Sequence, residues 1–424
     1  MSILRKIENL TIGNFMWWQV IAAIISLVWG FIPIRQLFMI LCFFCGVIRF
    51  TQIKRINSLD AIIMFYLVYV ILNAVAIDYP NHFYFLVHAF IFQFCPIMCY
   101  FMARTNDLEL EEIFKKMLIP MTIVMLVGIY LYFAEPSWYM AIKWARIYEK
   151  YGDYANDNSI IAQMRMTSIF DSSFYLAYAT FFFSAYLLFA LSFKSLKTSQ
   201  TILYVILIAV CVVVLMLANH RTTILGFVIA YLYCYIKGKK KGIRVYMLLG
   251  AGAIAIIVIA LIFSSQEYLD YIKMRFTEVS TDEGFQERLE HTGGGQNLLT
   301  LFGDGYGHHS LRAREYGGWA LIDSQYQKEL GELGIFGFSI FVFMLLITGL
   351  RAINKRNGTG LELCVFLFYL EAFIGASALS IDSEYSIIFW YALGKISQKS
   401  SQKSIYKPMS ATKQGNLVLS SVKS

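Results

Sequence analysis

The sequence predicts an all-α polytopic membrane protein, and three observations carry that prediction. Hydrophobic residues make up 58% of the chain and charged residues only 15%, with a mean hydropathy of +0.58, outside the makeup of a soluble domain. Apolar runs recur from near the N-terminus almost to the end, each close to the ~20 residues a helix needs to cross a hydrocarbon core of about 30 Å. The runs are continuous rather than alternating, so backbone groups that cannot stay unpaired in lipid are satisfied within helices and not around a barrel.

Twelve spans follow in order, at 16–34, 36–50, 59–77, 82–103, 113–134, 174–193, 201–218, 222–236, 245–264, 333–350, 361–379 and 385–396. The first is too long for a cleaved signal and lacks a small-residue cleavage site, so it reads as a retained span. The second, eighth and twelfth are short, which leaves the count open by one or two. Basic residues give an independent check, because Lys and Arg in short loops concentrate on the cytoplasmic side. With the N-terminus inside, two thirds of the 36 Lys and Arg residues fall in inner segments, while the short outer connections hold only Arg35 and Arg221. Both termini are therefore expected in the cytoplasm. The net charge of +8 is this inner collar facing anionic lipid and calls for no nucleic-acid partner.

The organisation is one transmembrane domain over 1–396, with long outer loops at about 135–173 and 265–332, and a tail at 397–424 rich in Ser, Lys and Gln. The tail has too few apolar residues to fold and is expected to be disordered. All seven cysteines fall in predicted spans. Cys42/Cys45 and Cys95/Cys99 have helical spacing but no accompanying His or carboxylate, so they read as small apolar residues and not as a metal or redox centre.

In the larger outer loop, Leu269, Ile272, Phe276 and Val279 give 266–280 the pattern of a surface helix. Gly293 to Gly295, then Gly303, Gly305 and Gly307, supply turns and close backbone approach. A new helix begins at Asp323 and Ser324 and runs into the tenth span. There Ser324 and Gln327 form a capping-box pattern, and Gly331, Gly334 and Gly337 lie on one face where a neighbouring helix can pack closely.

Chemistry is sought among the few charged groups of the outer surface. Arg221, in ANHRTTILGF, sits in a short connection between two apolar spans, a costly position that points to function, although an arginine snorkelling to headgroups accounts for it equally well. Arg165, Arg275, Arg288, Arg312 and Arg314 occupy the two long loops. A guanidinium binds phosphate oxygens bidentately and never deprotonates, which suits a lipid diphosphate. Asp323 is the best-placed carboxylate to orient or deprotonate a hydroxyl, against the plainer reading of a helix cap. His308 and His309 are adjacent and do not converge as metal ligands would.

Three segments carry a resemblance to a known family. RMTSIFDSSFYLAY from Arg165, NHRTTILGF around Arg221, and DSQYQKELGELGIFGF from Asp323 resemble motifs of the bacterial O-antigen polymerase and ligase superfamily. These are the Wzy-type membrane glycan polymerases and the lipopolysaccharide O-antigen ligases. The third is the most specific: a polar pair, nine residues, then Gly-x-x-Gly, preceded by GDGYG. In the ligases the polar pair begins with histidine, and Asp323 stands there instead, which favours a polymerase.

The resemblance implies a multi-pass protein of the bacterial cytoplasmic membrane with its active loops facing outward. It implies glycosyl transfer from undecaprenyl-diphosphate-linked oligosaccharide, which serves as both donor and acceptor, with no cofactor, and leaves open a chain-length regulator as a partner. Arg221 and Arg288 match the arginines that bind the diphosphate, Asp323 would activate the acceptor hydroxyl, and Arg165 would help hold diphosphate or sugar. Arg275, Arg312, Arg314, Tyr306, His309, Tyr316, Trp319 and Tyr326 complete the expected substrate-binding set. A ligase and a polysaccharide or lipid transporter are the competing readings. Transport is disfavoured because the predicted spans are almost free of ionisable residues, Glu371 being an exception.

Overall fold

The computed structural model describes residues 3–29, 34–76, 82–151, 165–170, 172–238, 300–309, 324–353, 360–375, 378–379 and 384–405. All regular structure among them is helical. The helices are α1 Ile3–Leu10, α2 Phe15–Trp29, α3 Ile34–Phe50, α4 Ser58–Ala76, α5 His82–Ala89, α6 Cys95–Thr105, α7 Leu110–Lys116, α8 Leu118–Ala134, α9 Ser137–Tyr151 and α10 Ser173–Phe193. They continue with α11 Thr198–Ala218, α12 Arg221–Lys237, α13 Gln325–Ile353, α14 Gly360–Gly375 and α15 Ser386–Ile405.

The all-α membrane class holds, but twelve spans are not confirmed. Among the described residues five helices are long and apolar enough to cross a membrane, or six if α7 and α8, bent by 45°, count as one span. The others fall short for identifiable reasons. The predicted span 82–103 is broken by a π turn at Phe90–Phe94 with Pro96 just beyond it, α12 and α14 have 17 and 16 residues, and the second half of α15 is polar. Span 245–264, the 266–280 surface helix and Gly293 to Gly295 lie outside the described residues.

A buried centre of α10, α14 and α15 is wrapped by the remaining helices, with Phe181, Phe182, Tyr369, Phe373, Phe389 and Trp390 almost fully enclosed. Leu, Ile and Val at 36–73% exposure cover the outside of α4, α8 and α11 to α13, the inverse of a soluble protein and what a lipid-facing surface requires. Where backbones must touch, glycine permits it. A Cβ on Gly46 of α3 would collide with the Met98 carbonyl of α6, and one on Gly394 of α15 with the Tyr100 carbonyl of α6.

One end of the bundle is tied by charge. Arg49 pairs with Glu8, Arg104 with Asp60, Lys194 with Glu111, and Lys399 with Glu109 and Glu362. Arg351 donates to Asn57 and Ser58. These are residues of the collar the sequence assigns to the cytoplasmic side. Helix α15 runs on through Ile405, so the first residues of the expected tail are helical: Asn57 donates to Ser397, Lys395 to Gln398, and Lys399 joins the acidic groups. Residues 406–424 lie outside the described set.

The opposite end collects the starts of α3, α10, α12, α13 and α15 and the finishes of α4 and α14, by the directions these contacts fix. This is the end the sequence assigns to the outer face. Between Glu135 and Ser173, where a loop was expected, α9 forms. Trp138 and Tyr139 open an amphipathic helix of the kind that lies along a membrane interface.

Replacing Gly394 by Leu is expected to lower thermal stability in detergent by several degrees, because the side chain must displace a backbone carbonyl that cannot give way, at a cost of about 1–3 kcal/mol. An unchanged melting temperature would show that α6 and α15 are not in direct backbone contact.

Candidate functional site

Two clusters occupy the end away from the charge collar. The first is built on segment 165–170, a short irregular piece clamped between three helices. Met166 N–H donates to the Leu217 carbonyl at the end of α11 (3.0 Å), the Ser168 hydroxyl donates to the Val124 carbonyl in α8 (2.8 Å), and the Thr167 hydroxyl meets the Tyr139 hydroxyl of α9 (2.8 Å). Ser168 takes a left-handed conformation, φ 55°, packed on Gly128. These contacts hold Arg165, half-buried, at the mouth.

Lys143 of α9 reaches the Arg165 carbonyl at 3.3 Å. Burial pushes the Lys143 ammonium down to about 8. Asn219 in a left-handed turn (φ 47°) ends α11, and His220 caps α12 by accepting from Thr223 N–H at Nδ1 (3.4 Å). The His220 ring is enclosed by Phe174 and Tyr178 of α10, 4.6 and 5.6 Å away between centroids. Arg221 then opens α12 with an exposed side chain. The short connection turns the chain and leaves an exposed guanidinium at the same end as Arg165.

The second cluster is the glycine loop 300–309 docked on the first turns of α13. Helix α13 is broken at Gly334, whose φ of 67° and ψ of −174° release the backbone groups around it. Ile335 N–H donates to the Thr300 carbonyl (3.0 Å) and Phe336 N–H to that of Leu301 (3.2 Å). In return Asp304 N–H donates to the Gly331 carbonyl (2.8 Å) and Gly305 N–H to that of Glu332 (3.1 Å). A Cβ on Gly303 would strike Glu332 and Gly334, and one on Gly334 would strike Gly303 and Leu301. The expected stripe of Gly331, Gly334 and Gly337 is therefore not one helix-packing face. Gly337 admits a helix neighbour, Tyr69 of α4, while Gly334 accepts the loop.

Side chains complete the clamp. Asn73, near the end of α4, donates to the Phe302 carbonyl (2.7 Å) and accepts from Tyr306 N–H (2.7 Å). Glu332 accepts from His309 N–H (2.9 Å) and from Lys328 Nζ (2.8 Å), and Lys328 also donates to Gln93 (3.2 Å) and lies 5.9 Å from the centre of the Tyr306 ring. Glu329 accepts from Tyr66 (2.8 Å) and from Gln325 (2.7 Å). Ser324, read as half of a capping box, donates its hydroxyl to the Phe373 carbonyl of α14 (3.0 Å). His309 Nε2 lies 3.3 Å from Asp304 Oδ2, with the imidazole 3% and the carboxylate 24% exposed.

The spans are consequently richer in ionisable groups than the sequence reading allowed. Asp60, Glu362 and Lys395 are buried at the collar end, and Lys328, Glu329 and Glu332 near the mouth, with Glu329 reaching Tyr66 partway along α4. Lys328, Glu329 and Glu332 were missed because the tenth span was started at Leu333, which left them in the loop; Asp60, Glu362 and Lys395 stood near the ends of predicted spans and were passed over.

Of the expected site residues, Arg165, Arg221, Tyr306, His309 and Tyr326 are described, all at this end. Tyr306 is buried under the loop, and Tyr326 packs on Phe373 with its hydroxyl donating to the Leu370 carbonyl (3.4 Å). Asp323, Arg275, Arg288, Arg312, Arg314, Tyr316 and Trp319 lie outside the described residues. Lys143, His220, Asn73, Asp304, Lys328 and Glu332 were not anticipated. The Lys328–Glu332 spacing of four, the pattern of a helical ion pair, was the available signal.

Burial, reinforced by the neighbouring Arg165 charge, pushes the His220 imidazole down to about 3. Unfolded histidine titrates near 6.5, so between pH 6.5 and 3 the unfolded chain binds the extra proton and stability falls as pH falls. His220→Gln is expected to flatten that part of a stability–pH profile; an unaltered slope would contradict the neutral buried ring.

A search of curated proteins finds no match. The O-antigen ligase family model matches residues 203–342, about a third of the chain, which contains Arg221, the glycine loop, Asp323 and the Gly-x-x-Gly of α13. It ties the chain to ligase- or polymerase-type function in polysaccharide biosynthesis and to a glycosyltransferase-like membrane enzyme with lipid-linked glycan substrates. Over those residues the chain is similar to the O-antigen ligase family, which supports the resemblance of its motifs to the O-antigen polymerase and ligase superfamily.

Proposed function

We propose that the protein polymerises undecaprenyl-diphosphate-linked oligosaccharide repeat units into a surface polysaccharide, at the outer face of a bacterial cytoplasmic membrane. The observation that carries the reading is the gathering of Arg165, Lys143 and Arg221 at the end of the bundle that also holds the glycine loop and the start of α13. Attack of a sugar hydroxyl on the anomeric carbon expels a diphosphate. Fixed cations then stabilise charge that grows on the leaving group in the transition state, without reorganising when it appears.

Each cation has a distinct share. Arg221, exposed at a helix N-terminus whose dipole also favours anions, meets the diphosphate from the membrane side. Arg165 is held in place by the clamped segment beneath it. In the same reading Arg288 joins the diphosphate clamp and Asp323 takes or orients the acceptor proton, on the strength of the family resemblance. A ligase reading is kept because the matching family model is that of the O-antigen ligase. The product separates the two: a polymerase leaves a longer glycan on the carrier lipid, whereas a ligase moves the glycan to a different final acceptor.

In cells whose only copy is Arg221→Lys, polymer yield is expected to fall about a hundredfold, because the ammonium keeps the charge but loses the bidentate fork. Protein abundance should be unchanged, since surface substitutions alter stability by only about 0.5 kcal/mol. Polymer of normal amount and length would remove Arg221 from the mechanism. An Asp323→Asn protein should make no extended glycan while still accumulating in the membrane, and normal activity would reduce Asp323 to a helix cap.

A further inference from the structure

We infer that Glu371 and Tyr178 form a hydroxyl-binding subsite, about one helical turn beneath the start of α12, for the sugar that the diphosphate carries. The inference rests on the proposed diphosphate site and adds to it the part of the ligand that is not an anion.

Glu371 lies on α14 beyond Glu362, which pairs with Lys399 in the collar. The rise of a helix puts it about 14 Å further toward the outer end. Phe368 fixes the side on which it emerges. Its ring stacks on Phe181 of α10 (3.9 Å between centroids), meets Tyr178 edge-on (5.3 Å), and lies where a Cβ on Gly226 of α12 would collide with it. Residues three apart share a helix face, so Glu371 faces the same seam between α10 and α12, one turn nearer the mouth. Level with it on α12 are Thr222, Thr223 and the His220 cap.

The seam is polar there, and its polar groups are unsatisfied. Tyr178 is 5% exposed, its ring lies 5.6 Å from that of His220, and its hydroxyl is within electrostatic reach of the Glu371 carboxylate. Among the described residues neither the Tyr178 hydroxyl nor the Glu371 carboxylate makes a hydrogen bond, and Glu371 Oε2 is buried. A buried carboxylate oxygen without a donor is costly, and a ligand that donates to it removes the cost.

The chemistry of the pair selects a sugar. A carboxylate repels phosphate and accepts from hydroxyls, while a phenol both donates and accepts, so the two match neighbouring hydroxyls on one ring. His220 touches Tyr178 and feels the Arg165 charge, which places the seam beside the cations. The sugar within reach is then the one attached to the diphosphate.

The test treats the full-length protein in detergent with dicyclohexylcarbodiimide, an apolar reagent. A carboxyl oxygen attacks its central carbon while its nitrogen takes the proton, and mass spectrometry locates the rearranged N-acylurea. Glu371 is expected to be labelled, whereas Glu329, which accepts from Tyr66 and Gln325, is not. Lipid-linked repeat units extracted from the host membrane, at about ten times their Kd, should slow the labelling about tenfold, and undecaprenyl diphosphate without sugar should not. Glu371→Gln is expected to weaken binding of the lipid-linked units, read by thermal shift, about ten- to a hundredfold, and Tyr178→Phe severalfold. Binding of undecaprenyl diphosphate should be unchanged in both. Tyr178→Phe and the labelling are the readouts if Glu371→Gln does not fold. No labelling of Glu371, equal protection by the two lipids, or unchanged affinity in the folded variants overturns the inference. If protection requires the sugar, yet Arg165→Ala and Arg221→Ala bind undecaprenyl diphosphate normally, the hydroxyl subsite stands and the proposed diphosphate site falls.

Discussion

A non-helical stretch of chain at the mouth of a membrane bundle has to find partners for its own N–H and C=O groups, and the rest of the site depends on how residues 300–309 do so. They bond to the helix they precede. Gly334 opens that helix, Gly303 lets the loop lie against the opening, and four backbone hydrogen bonds close the junction. Neither glycine tolerates a side chain, because each Cβ would occupy the other's backbone. Asp304, Tyr306 and His309 owe their positions to that junction, and Asn73 and Glu332 reinforce it from α4 and α13.

The buried ions beneath the loop belong to the same construction. Lys328 and Glu332 are each 1% exposed and 2.8 Å apart, a pairing that costs desolvation and repays it only when the remaining hydrogen-bond positions are filled. Gln93, His309 N–H and the face of Tyr306 are the groups that surround it. Removing one partner of such a pair typically costs about 3–5 kcal/mol, so the pair holds the loop in one arrangement rather than adding net stability over an apolar core. The collar at the other end is different in kind, with several of its charges partly exposed, and serves as an anchor.

How much could be read in advance varied with the type of signal. Composition and continuous apolar runs made the helical membrane class legible, and basic residues marked the end where Arg49, Arg104, Lys194 and Arg351 are tied. The π turn at Phe90–Phe94 that breaks a predicted span, and the helix break at Gly334, were not legible, since neither leaves a trace in hydropathy. Arg221 was visible because an arginine beside hydrocarbon is conspicuous, and Arg165 through the motif that it opens. Lys328, Glu329 and Glu332 were hidden by a span boundary set at Leu333, and Asn73 by its place inside an apolar run. Asp304 stood unremarked among the turn glycines of GDGYG, because its place beside His309 is set by the folded loop. The clamp on segment 165–170 is tertiary and has no sequence pattern.

The central claim is that the cations at the mouth hold a lipid diphosphate. An experimental structure with undecaprenyl diphosphate bound tests it most directly. The account predicts density for the two phosphates within hydrogen-bond reach of Arg165 and Arg221, with the polyprenyl chain running down the outside of the bundle. Phosphate density at the opposite end, beside Lys395 and Lys399, would contradict it.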